Sequence, residues 1–180
     1  MGKSIIQSKE ELEKWYADSD PWQYENNPDD QKRKLMLLNE IPEKRYHHTL
    51  DIGCGNGFIT RDLPGDQIKG TDISANAIAA AKKLVQSPHI LFEEKSIFSI
   101  HQNELVKYDL IVITGVLYNQ YIGKSSNLIY LLIDKILNDD GILISVHIDN
   151  WYNARFPYAL IKEKIYPYQT YLHRLEVYQK

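Results

Sequence analysis

The stretch Thr49-Leu50-Asp51-Ile52-Gly53-Cys54-Gly55-Asn56-Gly57-Phe58 decides the fold: a short apolar strand runs into an acidic turn with a glycine at every second position. Gly53 and Gly55 let the backbone bend sharply and approach a ligand where a Cβ would collide, and a helix that follows aims free N–H groups at that ligand. The turn is therefore a binding turn. A dinucleotide fingerprint needs its third glycine three residues after the second, beneath a pyrophosphate. Here that position is Phe58, and the third glycine comes early, at Gly57. Asp51, two residues before the first glycine, would repel a diphosphate and attract a cation.

S-adenosylmethionine carries both an ammonium and a sulfonium. Asp51, Gly53, Gly55 and Gly57 match the pattern D-x-G-x-G-x-G, and the stretch resembles the first motif of the class I S-adenosylmethionine-dependent methyltransferases. Downstream, Gln67-Ile68-Lys69-Gly70-Thr71-Asp72-Ile73-Ser74 is an apolar strand ending in an acid. An acid at the tip of the second strand, about 20 residues past the glycine turn, accepts hydrogen bonds from ribose hydroxyls. Asp72 is the predicted ribose ligand, with Ile73 beside it; Asp72 can equally serve only as the residue ahead of Ser74, a good N-cap for the next helix.

The rest of the chain narrows the class. At 180 residues with 43% hydrophobic content it is about one domain long with enough apolar material for a core. Lysine and arginine total 21 against 24 acids, a net charge of −3 with no long basic run, so nothing points to nucleic acid. The single cysteine, Cys54, sits in the turn, which excludes a disulfide framework and a cysteine metal site. His47 and His48 lie away from the expected site edge without suitably spaced acidic or cysteine partners, so no metal is expected. No apolar leader or membrane-spanning run is present, and Ile6 stands where a myristoylation signal would need Ser or Thr. A cytoplasmic protein, monomeric or weakly dimeric, is expected.

Along the chain, Ser8-Lys9-Glu10-Glu11 reads as a capping box for a helix to about Ala17. Asn27 and Pro28 read as N-cap and first residue of a second helix to about Asn39, with Leu35, Met36 and Leu38 facing inward. Strands at 49–53, 67–73, 89–94, 108–114 and 141–148 alternate with helices at 56–63, 75–86 and 126–137, the pattern of a parallel α/β sheet. A short helix near 153–161 and a hairpin over 162–180, turning near Pro167–Tyr171, complete the reading. The family resemblance covers Asp20 to the C-terminus. It implies a Rossmann-like three-layer sandwich with a seven-stranded sheet, parallel except for its last strand, in a single domain whose residues 1–45 form a helical lid over a 46–180 core.

Ligands of open parallel sheets gather at the carboxyl ends of the strands. After the third strand the family usually places an acid for the adenine amino group; Ser96 stands there in this chain, with Ile97 offering backbone groups and an apolar face. After the fourth strand, the resemblance places Thr114, Leu117 and Tyr118 beside the sulfonium and acceptor, although Gly115 and Tyr118 can equally be loop and packing residues. The Asn/Asp-Pro-Pro-aromatic turn of nucleobase amino methyltransferases is missing, as is a cysteine nucleophile near the acceptor. Asp20-Pro21-Trp22 and the Asp30–Lys34 run resemble the nodulation-protein-S-like branch of small methyltransferases. By that resemblance Trp22 covers the cofactor and Arg33 meets its carboxylate; alternatively, Trp22 is a hydrophobic plug and Lys32–Lys34 a solvated face. His147, at the end of the fifth strand, is the candidate base near neutral pH, with a structural role as its alternative. Tyr24, Tyr121 and His173 are further groups able to orient an acceptor, and Trp151, Tyr152, Phe156 and Tyr158 form an aromatic concentration that can stack on a sugar ring or simply be core.

The expected function is methyl transfer from S-adenosylmethionine to a nitrogen or oxygen of a small-molecule or saccharide-like acceptor, the sugar coming only from the branch resemblance. A non-catalytic module that binds S-adenosylmethionine or S-adenosylhomocysteine is the competing class. A nicotinamide oxidoreductase is disfavoured by Phe58 and Asp51.

Overall fold

In the computed structural model, which describes residues 8–18, 20–21 and 23–180, the strands are ordered by the apolar runs that form them. They are β1 (His48–Ile52), β2 (Gln67–Asp72), β3 (Ile90–Glu94), β4 (Tyr108–Thr114), β5 (Leu137–Ile148), β6 (Ala159–Tyr168) and β7 (Tyr171–Gln179). The sheet order is β3-β2-β1-β4-β5-β7-β6, with β1 to β5 parallel and β7 antiparallel to both its neighbours. This is the expected seven-stranded α/β sheet. Side chains of β4 alternate between its two faces: Leu110 and Val112 join one core with Leu37, Phe58 and Ile59, while Ile111 and Ile113 join another with Ile129, Ile133 and Ile136. Both faces are dry, as a parallel sheet requires. The strand order reverses between β1 and β4, and the crevice at their carboxyl ends is where such folds bind ligands.

The helices are α1 (Lys9–Trp15), α2 (Pro28–Glu40), α3 (Ala75–Leu84), α4 (Asn119–Ile122) and α5 (Ser126–Ile136). Ser8 and Glu11 form the capping box at α1, and Asn27 and Pro28 start α2 as expected. The inward face of α2 differs from expectation. Leu37 is fully buried and Leu35 is 59% exposed, while Met36 and Leu38 are half-buried. The buried positions are Asp30, Arg33, Lys34, Leu37 and Glu40, a stripe at helical spacing that is mostly charged, because this face meets a cavity and ion-pair partners rather than hydrocarbon.

Two expected helices are absent. Residues 56–63 form turns and a single 3-10 turn at Thr60–Asp62, since Gly53, Gly55 and Gly57 hold φ values of +78°, +53° and +82°, outside the right-handed helical region. Residues 153–158 are irregular and β6 begins at Ala159, because pairing with β7 along its whole length outweighs the weak helical pattern there. The fifth strand starts at Leu137, directly after α5.

Candidate active site

A cavity of about 610 Å³ opens at the carboxyl ends of β1, β2, β4 and β5 and is covered by α1, α2 and the tip of the β6–β7 hairpin. Its floor is the glycine turn. The amides of Gly53 and Cys54 both donate to the Thr71 carbonyl, which ties the turn to β2. At Gly53 a Cβ would stand 2.2 Å from Val116 Cγ2, so the backbone approaches the β4 loop as only glycine permits.

Asp51 lies at the head of this turn, 1% exposed and lining the cavity. Its Oδ2 accepts from the Thr60 hydroxyl at 2.7 Å, while Oδ1 is buried with no hydrogen-bond partner. Burial pushes its carboxyl up to about 6, an effect the Thr60 hydroxyl opposes and the nearby Asp72 charge reinforces. Asp72 also lines the cavity. Its oxygens accept from the Gly55 and Ser74 amides at 3.0 and 2.9 Å, and burial raises its carboxyl above the ordinary range. Ser74 accepts from Ala77 as the N-cap of α3, so the helix-starting residue and the cavity carboxylate coexist. The Cys54 thiol is pushed up well above its usual value by burial and by the two aspartates, leaving it unreactive.

Arg33 reaches the cavity from α2. It pairs with Asp30 at 2.8 Å, lies over the rings of Tyr24 and Tyr168, and keeps Nε buried without a hydrogen bond. Glu13 of α1 fastens the cover: its carboxylate accepts from the Ser74 hydroxyl and from the Ala75 and Asn76 amides at the start of α3. Leu12 and Tyr16 of the same segment line the cavity.

Of the residues expected at the site, Arg33, Asp51, Gly53, Asp72, Ile73, Ser96, Ile97, Thr114 and Tyr118 line this one cavity. Gly55 acts behind the wall through its amide. Leu117 is 2% exposed and packs in the core on the α5 side of the sheet, away from the cavity. Trp22 lies outside the described residues. His147 is the principal correction: it is 1% exposed, does not line the cavity, and sits edge-on to Tyr152 with neither ring nitrogen hydrogen-bonded and Nε2 4.0 Å from Glu176 Oε2. The physical reason is strand alternation. Val146 and Ile148 face the cavity, so His147 between them faces the opposite side, and burial followed by the Arg174 charge lowers it to about 4.

Of the aromatic group over 149–158, Trp151 lines the cavity while Tyr152 and Phe156 are core residues on the α5 side and Tyr158 packs against them; beyond the expected set, Tyr168, Gln169 and Tyr171 line it from the hairpin tip. The Trp151 ring meets Tyr118 and Tyr171 edge-on at 5.5 and 5.4 Å. No local motif marks the hairpin residues Tyr168, Gln169 and Tyr171; they arrive by the hairpin folding back along β5. The Tyr118 hydroxyl accepts from the Ile148 amide at 2.8 Å, and burial pushes it up to about 12. No cluster of metal-ligating side chains occurs among the described residues.

Known proteins resemble this chain in sequence and in fold. A family model described as a methyltransferase domain matches residues 43–178. Nodulation protein S from Rhizobium tropici is 30% identical over 116 residues, 62% of this chain and 47% of that protein. Ribosomal protein L11 methyltransferase from Dictyoglomus turgidum is 31% identical over 103 residues, 53% of this chain and 30% of that protein. The match thus spans less than half the length of either relative. Among solved structures, the N-methyltransferase NodS from Bradyrhizobium japonicum WM9 in complex with S-adenosylhomocysteine superposes with a TM-score of 0.81 at 20% identity, covering 96% of this chain and 97% of that one. Magnesium protoporphyrin IX methyltransferase from Synechocystis PCC 6803 with bound S-adenosylmethionine gives 0.70 at 14% identity over 99% and 100% of the two chains. At these identities the likeness establishes the fold.

Proposed function

This chain belongs to the methyltransferase-domain family, the class I S-adenosylmethionine-dependent methyltransferases, and on that footing we propose that it transfers a methyl group to a nitrogen or oxygen of a small-molecule or saccharide-like acceptor. The observation that carries the cofactor assignment is the orphaned Oδ1 of Asp51, a buried anionic acceptor beside a glycine turn. An unpartnered buried carboxylate is costly unless a cation arrives to pair with it. Asp51 takes the ammonium of the cofactor, Arg33 its carboxylate through the planar guanidinium, and Asp72 the ribose hydroxyls. Ser96 and Ile97 bound the adenine and Ile73 packs against the nucleoside, with α1 and α2 as the lid.

When bound, S-adenosylmethionine supplies an electrophilic methyl on a sulfonium that leaves as a neutral thioether. The protein's contribution is then alignment and exclusion of water. Thr114 and Tyr118, at the end of β4 and in its loop, border the region where acceptor and methyl meet, and Trp151 and Tyr171 close it from the solvent side. Transfer to nitrogen or oxygen rather than to a ring carbon is supported by the absence of a reactive thiol, since Cys54 is held protonated.

Calorimetry with S-adenosylmethionine and S-adenosylhomocysteine tests the binding, and a methyl-transfer assay across amine, hydroxyl and carboxyl compounds tests the activity. Binding that weakens in Asp51→Asn, with turnover on an amine or hydroxyl, is expected. Failure of both nucleosides to bind would overturn the reading, and tight binding with no turnover on any acceptor class would favour a non-catalytic binding module.

A further inference from the structure

Methylation of a hydroxyl or an N–H group releases a proton, and the cavity must offer a lone pair to receive it. The carboxylate and imidazole side chains that line the cavity are Asp30, Asp51, Asp72 and His173. Three are committed. Asp30 is paired with Arg33 and accepts from the Tyr168 hydroxyl at 3.0 Å; Asp51 is the ammonium ligand in the reading above; Asp72 takes two backbone amides. His173 alone keeps its ring free of hydrogen bonds among the described residues, with Nδ1 buried and unpartnered.

Its placement suits the task. His173 pairs across the sheet with Ile148, whose amide donates to the Tyr118 hydroxyl, and His173, Tyr118 and Thr114 line the same cavity at the carboxyl ends of β4 and β5. The ring is only 5% exposed and stacks on Tyr168 at 3.9 Å with the planes 10° apart, while Tyr166 closes its other side edge-on. Tyr168 in turn is held by Asp30 of α2. The charged and titratable groups around it are Arg33 from α2, His147 from β5, and Tyr166 and Tyr168 from β6. Burial first, then Arg33 and His147, lower it to about 3, so it stays a neutral acceptor throughout the physiological range.

We propose that His173 is the catalytic residue that contacts the methyl acceptor, accepting a hydrogen bond from its O–H or N–H and taking that proton as the methyl arrives, with Tyr118 as the neighbouring polar contact. This rests on the reading of the cavity as a methyl-transfer site. In the step, an acceptor lone pair forms the bond to the methyl carbon while the carbon–sulfur bond breaks and its electron pair stays on sulfur. The proton made acidic by that bond passes to the His173 ring and then to water. With no uncommitted carboxylate at this end and Arg33 nearby, the acceptor enters uncharged: a phenol or arylamine, stacked among Tyr118, Trp151 and Tyr171, rather than an alkylammonium.

The test uses phenol and aniline as probes on protein loaded with S-adenosylhomocysteine, whose calorimetric binding is measured first. Loss of that binding would overturn the cofactor reading rather than the role of His173. With the nucleoside bound, imidazole ¹⁵N spectra should show the His173 resonance, identified by its loss in His173→Gln, shifting on addition of phenol or aniline and remaining still with phenethylamine. In turnover with S-adenosylmethionine, His173→Gln and His173→Ala should lower kcat by about 10²-fold or more with little change in KM, while nucleoside affinity is retained as the check on folding and His147→Gln stays at the unsubstituted rate. A His173 resonance that neither probe moves, or a His173→Gln rate within about threefold of the unsubstituted protein, would overturn the proposal.

Discussion

Asp51 and Gly53 show how much chemistry two residues of the turn carry. Burial raises the Asp51 carboxyl to about 6, and only the ionised form attracts an ammonium. Free protein therefore takes up a proton at Asp51 as the pH falls through about 6, whereas the nucleoside-bound form resists doing so. Affinity for S-adenosylmethionine should accordingly rise from about pH 5 to about pH 7 and then level, with proton release near pH 6 visible as a calorimetric heat that varies with the buffer's ionisation enthalpy. Asp51→Asn should flatten that profile and weaken binding by about 1.5–3 kcal/mol, the scale of a hydrogen bond to a charged group. At Gly53 a side chain meets both a φ of +78° and the Val116 methyl. Gly53→Ala should lower stability in urea by about 1–3 kcal/mol, and adding Val116→Ala should recover only the part due to overlap.

At the level of elements, the segment between β5 and β6 is held by ion pairs rather than by a helix. Arg155 Nη1 stands 3.0 Å from Oε1 of the fully buried Glu176, and Nη2 stands 2.6 Å from Glu163; Asp149 pairs with Arg174. This clamp presents Trp151 to the cavity. Arg155→Ala should leave Glu176 buried without its cation and cost about 1–3 kcal/mol, below the full value for a buried pair because Arg155 is itself 42% exposed on its side chain. Amide exchange across 149–158 should quicken, with nucleoside affinity unchanged because Asp51 and Asp72 lie on other strands. The helix α2 makes the complementary point. Its caps were legible in Asn27 and Pro28, but its inward face was not, since a stripe of Asp30, Arg33, Lys34 and Glu40 has the composition of a solvated surface and only the partners brought from elsewhere make it an interior one. Those partners are Asp62 for Lys34, Lys162 and Lys164 for Glu40, and Tyr168 for Asp30.

Across the whole molecule, the titration of buried groups couples stability to pH. His147 is held neutral down to about 4, while an unfolded chain protonates it near 6.5. Between those values the unfolded state binds the extra proton, so this residue's contribution to stability is present above about pH 6.5 and is lost as the pH falls through the window, by about 3 kcal/mol. Asp51 acts in the opposite sense over nearly the same range, so the clear measurement is a difference: His147→Gln should lose less stability than the unsubstituted protein between about pH 7 and pH 4.5 in urea titrations. The same histidine marks the boundary between what could be read and what could not. The glycine spacing, the acid before it, the acid at the tip of β2 and the alternation of apolar runs are local properties, set by backbone sterics and period, and so sequence by itself determined the class of sheet, its family and the glycine turn and carboxylates, Asp51 and Asp72, that line the cavity. Whether His147 or His173 faces that cavity depends on strand register, and whether the aromatic residues of the hairpin reach it depends on how β6 and β7 fold back along β5. Tertiary structure alone decided these, because one step along a strand reverses a side chain, and contacts between distant segments leave no trace in local pattern.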